Sequence, residues 1–192
     1  IEYARKVGYV LPQWFDPYSK EPLPQADVPQ LGVVREPWQL GTYAYLMLEA
    51  HELSRQERFF DEAAFAIEKL FTGISWKVSN DVYDRTYIDP AEFPITELFG
   101  NSFGAIAAYR VYRQTGDIRY LAWSRDFMNV MLRLTFWYED ETDDVARELR
   151  SIGLFYPHGG GHVSTPWETL EANMGMIWAL GHDPTHPARD LL

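Results

Sequence analysis

The sequence predicts an all-α protein built from helical hairpins, in which inner and outer helices alternate along the chain. Apolar residues recur at helical spacing over five segments, which indicates five helices. The first, third and fifth of these open with a proline and are apolar or small on every side, whereas the second and fourth have charged residues along them. A helix that is apolar all round is buried and one with a mixed face is half-solvated, so the predicted helices alternate between two layers.

Residues 1–36 are predicted to form an irregular, proline-rich leader. It contains five of the twelve prolines of the chain, and each of them removes a backbone hydrogen-bond donor. It also contains Trp14, Phe15 and Tyr18. Since linkers rarely hold that many aromatic residues, we expect the leader to pack across the helical body.

Residues 37–192 are predicted to form the helical-hairpin domain. The five helices are expected at 37–53, 57–71, 94–114, 118–137 and 166–180. Thr115-Gly116-Asp117 combines helix-stop and turn residues and should separate the third helix from the fourth, and Gly181 should close the fifth.

Two further features describe the packing expected of these helices. Gly41, Gly100, Gly104 and Gly175 lie within inner helices, where glycine lowers helix propensity, so they indicate close contact between helices. Glu62 lies on an outer helix and is expected on its half-solvated face.

Two long loops precede inner helices. Residues 72–93 alternate between apolar and polar positions around Asn80-Asp81, which predicts a small β-hairpin in a rim loop. Residues 138–165 form the longer loop, and loops of this length inside a domain are usually functional or disordered.

Composition excludes several classes of function. The 192 residues include 17 basic and 28 acidic side chains, a net charge of −11, which argues against a partner that is a nucleic acid. The chain has no cysteine, which excludes disulfides, thiolate nucleophiles and zinc–cysteine sites but leaves the cellular compartment open. No apolar run approaches the roughly 20 residues that span a bilayer, so no membrane partner is expected.

The alternating helices, the long loops on one rim and the turn from Thr115 to Leu121 resemble the (α/α) toroid. This six-hairpin fold is shared by many glycoside hydrolases, polysaccharide lyases and sugar epimerases. The resemblance covers residues 37–192 and implies a carbohydrate-active site where the inner helices begin. The chain is too short for a closed ring, so we expect it to be a fragment or to be completed by further polypeptide. A start at Ile1 and an end just after Pro187 agree with a longer protein.

Glu97 and Glu168 are the predicted catalytic pair because both lie in the first turn of an inner helix. Glycosidic hydrolysis uses two carboxylates, ~5–5.5 Å apart in retaining enzymes and ~6.5–9.5 Å apart in inverting ones. Glu171 follows Glu168 by one helical step and shares its face, so it is a candidate for substrate binding. The alternative for Glu168 is a capping box with Thr165.

A glycine-rich stretch supplies a second set of candidates. His158 and His162 flank three consecutive glycines, and Tyr156 lies just before them. Histidine titrates near neutrality, which suits elimination or epimerisation with Tyr156 as a partner. The glycines disfavour the helix that would let both histidines bind one metal ion, so no metal and no cofactor is predicted. The alternative is a mobile surface loop.

Trp38, Trp76 and Trp167 lie at or before the starts of inner helices and are predicted to bind substrate. Their aromatic faces could stack on sugar rings, and the alternative for each is packing in the core.

The predicted function is therefore a glycoside hydrolase that uses a carboxylate pair and binds an oligo- or polysaccharide. A polysaccharide lyase or sugar epimerase using the histidines is one alternative. A non-catalytic helical-repeat module that binds a protein or a glycan is the other.

Overall fold

The computed structural model describes residues 1–9, 11–12, 14–23, 39–73, 98–133, 175, 177–178 and 180–186. Helices make up 76% of these residues and strands 4%, so the predicted all-α class is confirmed.

The described part of the chain contains five helices with defined bounds, two short strands and further helical residues near its end. The elements with defined bounds are α1 (Glu2–Lys6), β1 (Trp14–Phe15), β2 (Pro22–Leu23), α2 (Gln39–Ser54), α3 (Glu57–Gly73), α4 (Leu98–Thr115) and α5 (Ile118–Arg133). The four long helices match the first four predicted from periodicity.

Two predicted elements are described only in small part. Residues 175, 177–178 and 180–182 are helical, so the last predicted helix continues through Gly181, which was wrongly expected to close it. The predicted β-hairpin at 72–93 is wrong in its first two positions, which belong to α3, and its remainder lies outside the described residues.

The turn between α4 and α5 forms as the sequence predicts. Gly116 has φ +73°, a left-handed conformation that glycine adopts without strain, and its N–H donates to the Tyr112 carbonyl at 2.7 Å. The carboxylate of Asp117 then accepts the backbone N–H of Arg119 at 3.0 Å and caps the start of α5.

Helices α2 and α4 lie side by side and run parallel. Gly41 meets Gly100 close to the start of both helices. Further along both helices, Arg110 of α4 donates to Glu49 of α2 at 2.5 Å. Since the contacts advance in the same direction along both helices, their first turns lie at one edge of a shared layer.

The helical residues near the end of the chain extend this layer on the other side of α4. Gly175 lies against Ser102, close to the start of α4. Further along, the ring of Trp178 lies 5.8 Å from that of Tyr109, whose hydroxyl donates to the His182 carbonyl at 2.5 Å. This segment therefore also runs parallel to α4.

Helices α3 and α5 form a second layer. Phe71 of α3 stacks on Trp123 of α5 with ring centroids 5.1 Å apart. The Ser124 hydroxyl of α5 donates to the Ala105 carbonyl at 2.8 Å and joins the second layer to α4.

The two layers enclose the main hydrophobic core, and α4 is its most buried helix. From Gly100 to Tyr109 every residue except Phe103 is buried. The prediction that inner helices are buried on every side is wrong for α2, which exposes Leu46 by 54% and Leu53 by 88%. Within the described residues, α2 has a neighbouring helix in its layer on only one side, namely α4.

The leader contains regular structure and packs on the helices. Strands β1 and β2 pair antiparallel, and the ring of Tyr3 lies 4.9 Å from that of Phe15. Ala4 and Tyr9 are buried members of the core cluster. The expected packing of the leader against the helical body is therefore seen at Ala4, Tyr9 and Leu11.

Candidate functional site

All nine residues predicted from the sequence for the site lie outside the described part of the chain, so their assignments stay predictions. They are Glu97, Glu168, His158, His162, Trp38, Trp76, Trp167, Tyr156 and Glu171. Four described regions bear on the chemistry of the chain: the helix starts, a cluster around Glu62, and two arginine clusters.

Helices α2 and α4 approach so closely at their starts that only glycine fits. A Cβ atom on Gly41 would overlap the carbonyl oxygen of Gly100 and lie 3.1 Å from the Cα of Gly104. A Cβ atom on Gly104 would lie 2.6 Å from the ring of Phe127. The close helix contact predicted from these glycines is confirmed.

The same close approach joins the last helical segment to α4. A Cβ atom on Gly175 would overlap the hydroxyl of Ser102 and lie 3.0 Å from its Cβ. Asn101 and Ser102 are both buried at this position. Near its start, α4 therefore contacts α2 through Gly100 and the last helical segment through Ser102. In the sequence, Trp38 and Glu97 directly precede α2 and α4.

A second region surrounds the buried carboxylate of Glu62 on α3. Oε1 of Glu62 accepts hydrogen bonds from the hydroxyls of Tyr9 at 2.8 Å and Tyr43 at 2.9 Å. Oε2 accepts one from Nη2 of Arg5 at 2.7 Å. The cluster thereby joins the leader, α2 and α3 through one side chain.

These contacts keep Glu62 ionised. Burial alone would raise the pKa of the Glu62 carboxyl, but the hydrogen bonds from Tyr9, Arg5 and Tyr43 outweigh it and the pKa is lowered. Burial, followed by the hydrogen bond to Glu62, raises the pKa of both Tyr9 and Tyr43. With both oxygens occupied by donors, this carboxylate positions the leader rather than transferring protons.

The expectation that Glu62 lies on a half-solvated face is wrong, because its side chain is buried. The burial of Glu62 could have been predicted from its position in the helix, although its charge favours an exposed position. Phe59, Ala63 and Ala66 lie three before, one after and four after it, so Glu62 falls within the apolar stripe of α3.

Arg110 on α4 holds a pair of carboxylates that belong to α2. Its two terminal nitrogens each contact one of them, Glu49 and Glu52, at 2.5 Å. The guanidinium also lies 5.7 Å from the ring centroid of Tyr45. One cation is thus shared by two carboxylates, and the cluster ties α4 to α2.

A second arginine cluster ties α5 to the turn after the last helical segment. Nε and Nη2 of Arg125 donate to the two oxygens of Asp183 at 2.7 and 3.0 Å, and Nη2 also donates to Thr185 at 2.7 Å. The hydrogen bonds from Arg125 lower the pKa of Asp183, and burial lowers that of the nearby His186. This cluster joins α5 of the second layer to the residues that follow the last helical segment of the first layer.

Within the described ranges, no group of three or more histidine, aspartate or glutamate side chains is placed to hold a metal ion. None of the described helices is long and apolar enough to cross a membrane.

Comparisons with protein-family models, with curated proteins and with solved structures find no match for this chain.

Proposed function

We propose that the chain is part of a carbohydrate-active enzyme of the (α/α) toroid type that hydrolyses glycosidic bonds with Glu97 and Glu168. The main support is the parallel layer of α2, α4 and the last helical segment, with α3 and α5 packed behind it. In the toroid that the sequence resembles, the edge where the inner helices begin bears the site.

The position of the two glutamates in the sequence agrees with that edge. Glu97 directly precedes α4, and Glu168 precedes Gly175, which contacts Ser102 near the start of α4. A helix start stabilises a negative charge, which favours carboxylates there. In the proposed reaction one carboxyl protonates the leaving glycosidic oxygen, and the other activates water or attacks the sugar directly.

Substrate binding is proposed for the aromatic residues that precede the same helices. Trp38 directly precedes α2 in the sequence. We propose that Trp38, Trp76 and Trp167 stack on the apolar faces of sugar rings, with Tyr156 and Glu171 lining the cleft.

The test is the release of reducing ends from a panel of oligo- and polysaccharides, using the wild type and the variants Glu97→Gln and Glu168→Gln. Each variant should lower kcat by about 10²–10⁴-fold, because each removes a proton-transfer group. Glu57→Gln is the matched control, since Glu57 is exposed and lies at the start of α3 in the other layer. It should leave kcat unchanged.

Three results would contradict the proposal. If both glutamate variants keep full activity, the assigned pair is wrong. If the products are unsaturated and His162→Ala abolishes their formation, the chain is a lyase. If glycans bind saturably but no substrate turns over, the chain is a binding module.

A further inference from the structure

An open cavity of about 380 Å³ lies where the leader meets α3. It is lined by Arg5, Gly8, Tyr9, Phe65 and Lys69. Small-molecule sites usually have volumes of roughly 300–1,000 Å³, so this cavity is large enough for one sugar or one substituted aromatic ring.

The charges at the cavity favour an anion. Arg5 and Lys69 bring two positive charges, and the adjacent Glu62 compensates one of them through its contact with Arg5. Lys69 forms no hydrogen bond or ion pair with any residue that the structure describes. One positive charge therefore remains at the cavity, in a chain whose net charge is −11.

Arg5 keeps donors available beside its contact with Glu62. A guanidinium has five N–H donors, and the hydrogen bond from Nη2 of Arg5 to Glu62 uses one of them. Its side chain is 64% exposed. A planar carboxylate matches this remaining fork of donors better than a neutral hydroxyl does.

The aromatic side of the cavity favours a flat or apolar ring. Phe65 is 48% exposed, although it is a large apolar side chain, and its ring centroid lies 5.1 Å from that of Tyr9. Tyr9 is nearly fully buried and its hydroxyl is held by Glu62, so it supports Phe65 from beneath. Gly8 adds exposed backbone without a side chain that would fill the space.

From these four features we infer that the cavity binds a small organic carboxylate whose ring packs on Phe65 and whose acid group lies between Arg5 and Lys69. A uronic acid and an aromatic acid share this chemistry. This site consists of residues of the leader and α3 only and is independent of the proposed glycosidase activity.

The test is a titration of the ¹⁵N-labelled full chain with glucuronate and with benzoate, following the amide signal of Gly8 by NMR. Glucose and benzyl alcohol serve as neutral counterparts of the same ring shape. A saturable shift with either acid, and none with its neutral counterpart, is expected. The acid that binds shows whether the natural ligand is a uronic acid or an aromatic acid. Added salt should weaken the binding because the two cationic side chains are partly exposed.

Charge variants separate this site from general attraction to the protein. Lys69→Gln should weaken binding by about two- to fivefold, which is the usual range for a partly exposed ion pair, and Lys69→Arg should retain it. Lys6→Gln is the matched control, because Lys6 is exposed on α1 beside Arg5 but does not line the cavity. The inference is overturned if neither acid gives a saturable shift, if the neutral compounds shift Gly8 equally, or if Lys69→Gln binds as tightly as the wild type.

Discussion

Glu62 is a charged side chain that stays ionised inside an apolar interface because every oxygen has a donor. Removing an isolated carboxylate from water is strongly unfavourable, and burial by itself would push the proton back onto it. Two tyrosine hydroxyls and one guanidinium replace the lost water. The side chain that looks least suited to the core therefore joins three separate segments.

Replacing Glu62 with glutamine should destabilise the fold. The amide keeps the shape of the side chain but removes the charge and presents two hydrogens to a site built from donors. We expect a loss of about 1–3 kcal/mol in the free energy of unfolding, measured with urea. Asp61→Asn, an exposed change of the same chemistry on the same helix, should stay within about 0.5 kcal/mol. Equal losses in both variants would contradict the structural role of Glu62.

The difference in unfolding free energy between the wild type and Glu62→Gln should depend on pH. The pKa of Glu62 is lowered in the folded state from its ordinary value of 4.5, so its ionisation favours folding above that value. The contribution is lost as the pH falls through the lowered pKa. The difference in unfolding free energy between the wild type and Glu62→Gln should thus shrink as the pH falls below about 5. A difference that stays constant at low pH would refute this account.

At the scale of helices, the contact between α2 and α4 depends on the absence of side chains. Glycine lowers the stability of an isolated helix by about 1 kcal/mol relative to alanine, and α2 and α4 nevertheless have glycine at positions 41, 100 and 104. The compensation at Gly41 is the close approach of the two backbones, which fills the space with main-chain atoms of α4, and at Gly104 the ring of Phe127 on α5 fills the space.

Gly41→Ala should therefore be destabilising although alanine is the better helix former. The added methyl group meets backbone atoms of α4, which cannot rotate away, and we expect a loss of about 1–3 kcal/mol in urea unfolding. Gly181→Ala is the matched control, because Gly181 is helical and a Cβ atom there would have no atom within 4 Å. It should be neutral or stabilising. A neutral Gly41→Ala would show that the two helices do not pack this closely.

At the scale of the whole molecule, the leader is part of the fold rather than an appendage. Tyr9 is 5% exposed and reaches Glu62, whereas Tyr18 of the same leader is 94% exposed. Tyr9→Ala should reduce the free energy of unfolding by about 3–5 kcal/mol, as other buried aromatic truncations do. Tyr18→Ala should change it by no more than about 0.5 kcal/mol in the same thermal or urea experiment. If both are neutral, the helices fold without the leader.

The types and approximate bounds of the four long helices could be predicted because helical periodicity is a local property. The turn at Gly116 and the close contact at Gly41 could also be predicted locally, since each depends on the missing Cβ atom of a single glycine. The candidate catalytic residues were selected by residue type and position, and they remain predictions. The cavity beside Phe65 could not be predicted, because it forms between segments about 60 residues apart in the chain.

The helical class, the turn between α4 and α5 and the close glycine contacts could be predicted from local sequence, because they depend on neighbouring residues and on steric limits. The parallel course of α2, α4 and the last helical segment and the burial of the Glu62 carboxylate depend instead on contacts between distant parts of the chain. The Glu62 partners Arg5 and Tyr9 lie 57 and 53 residues away in the chain. A buried carboxylate is stable only when hydrogen-bond donors surround it. Here those donors belong to distant segments, so their positions depend on how these segments pack.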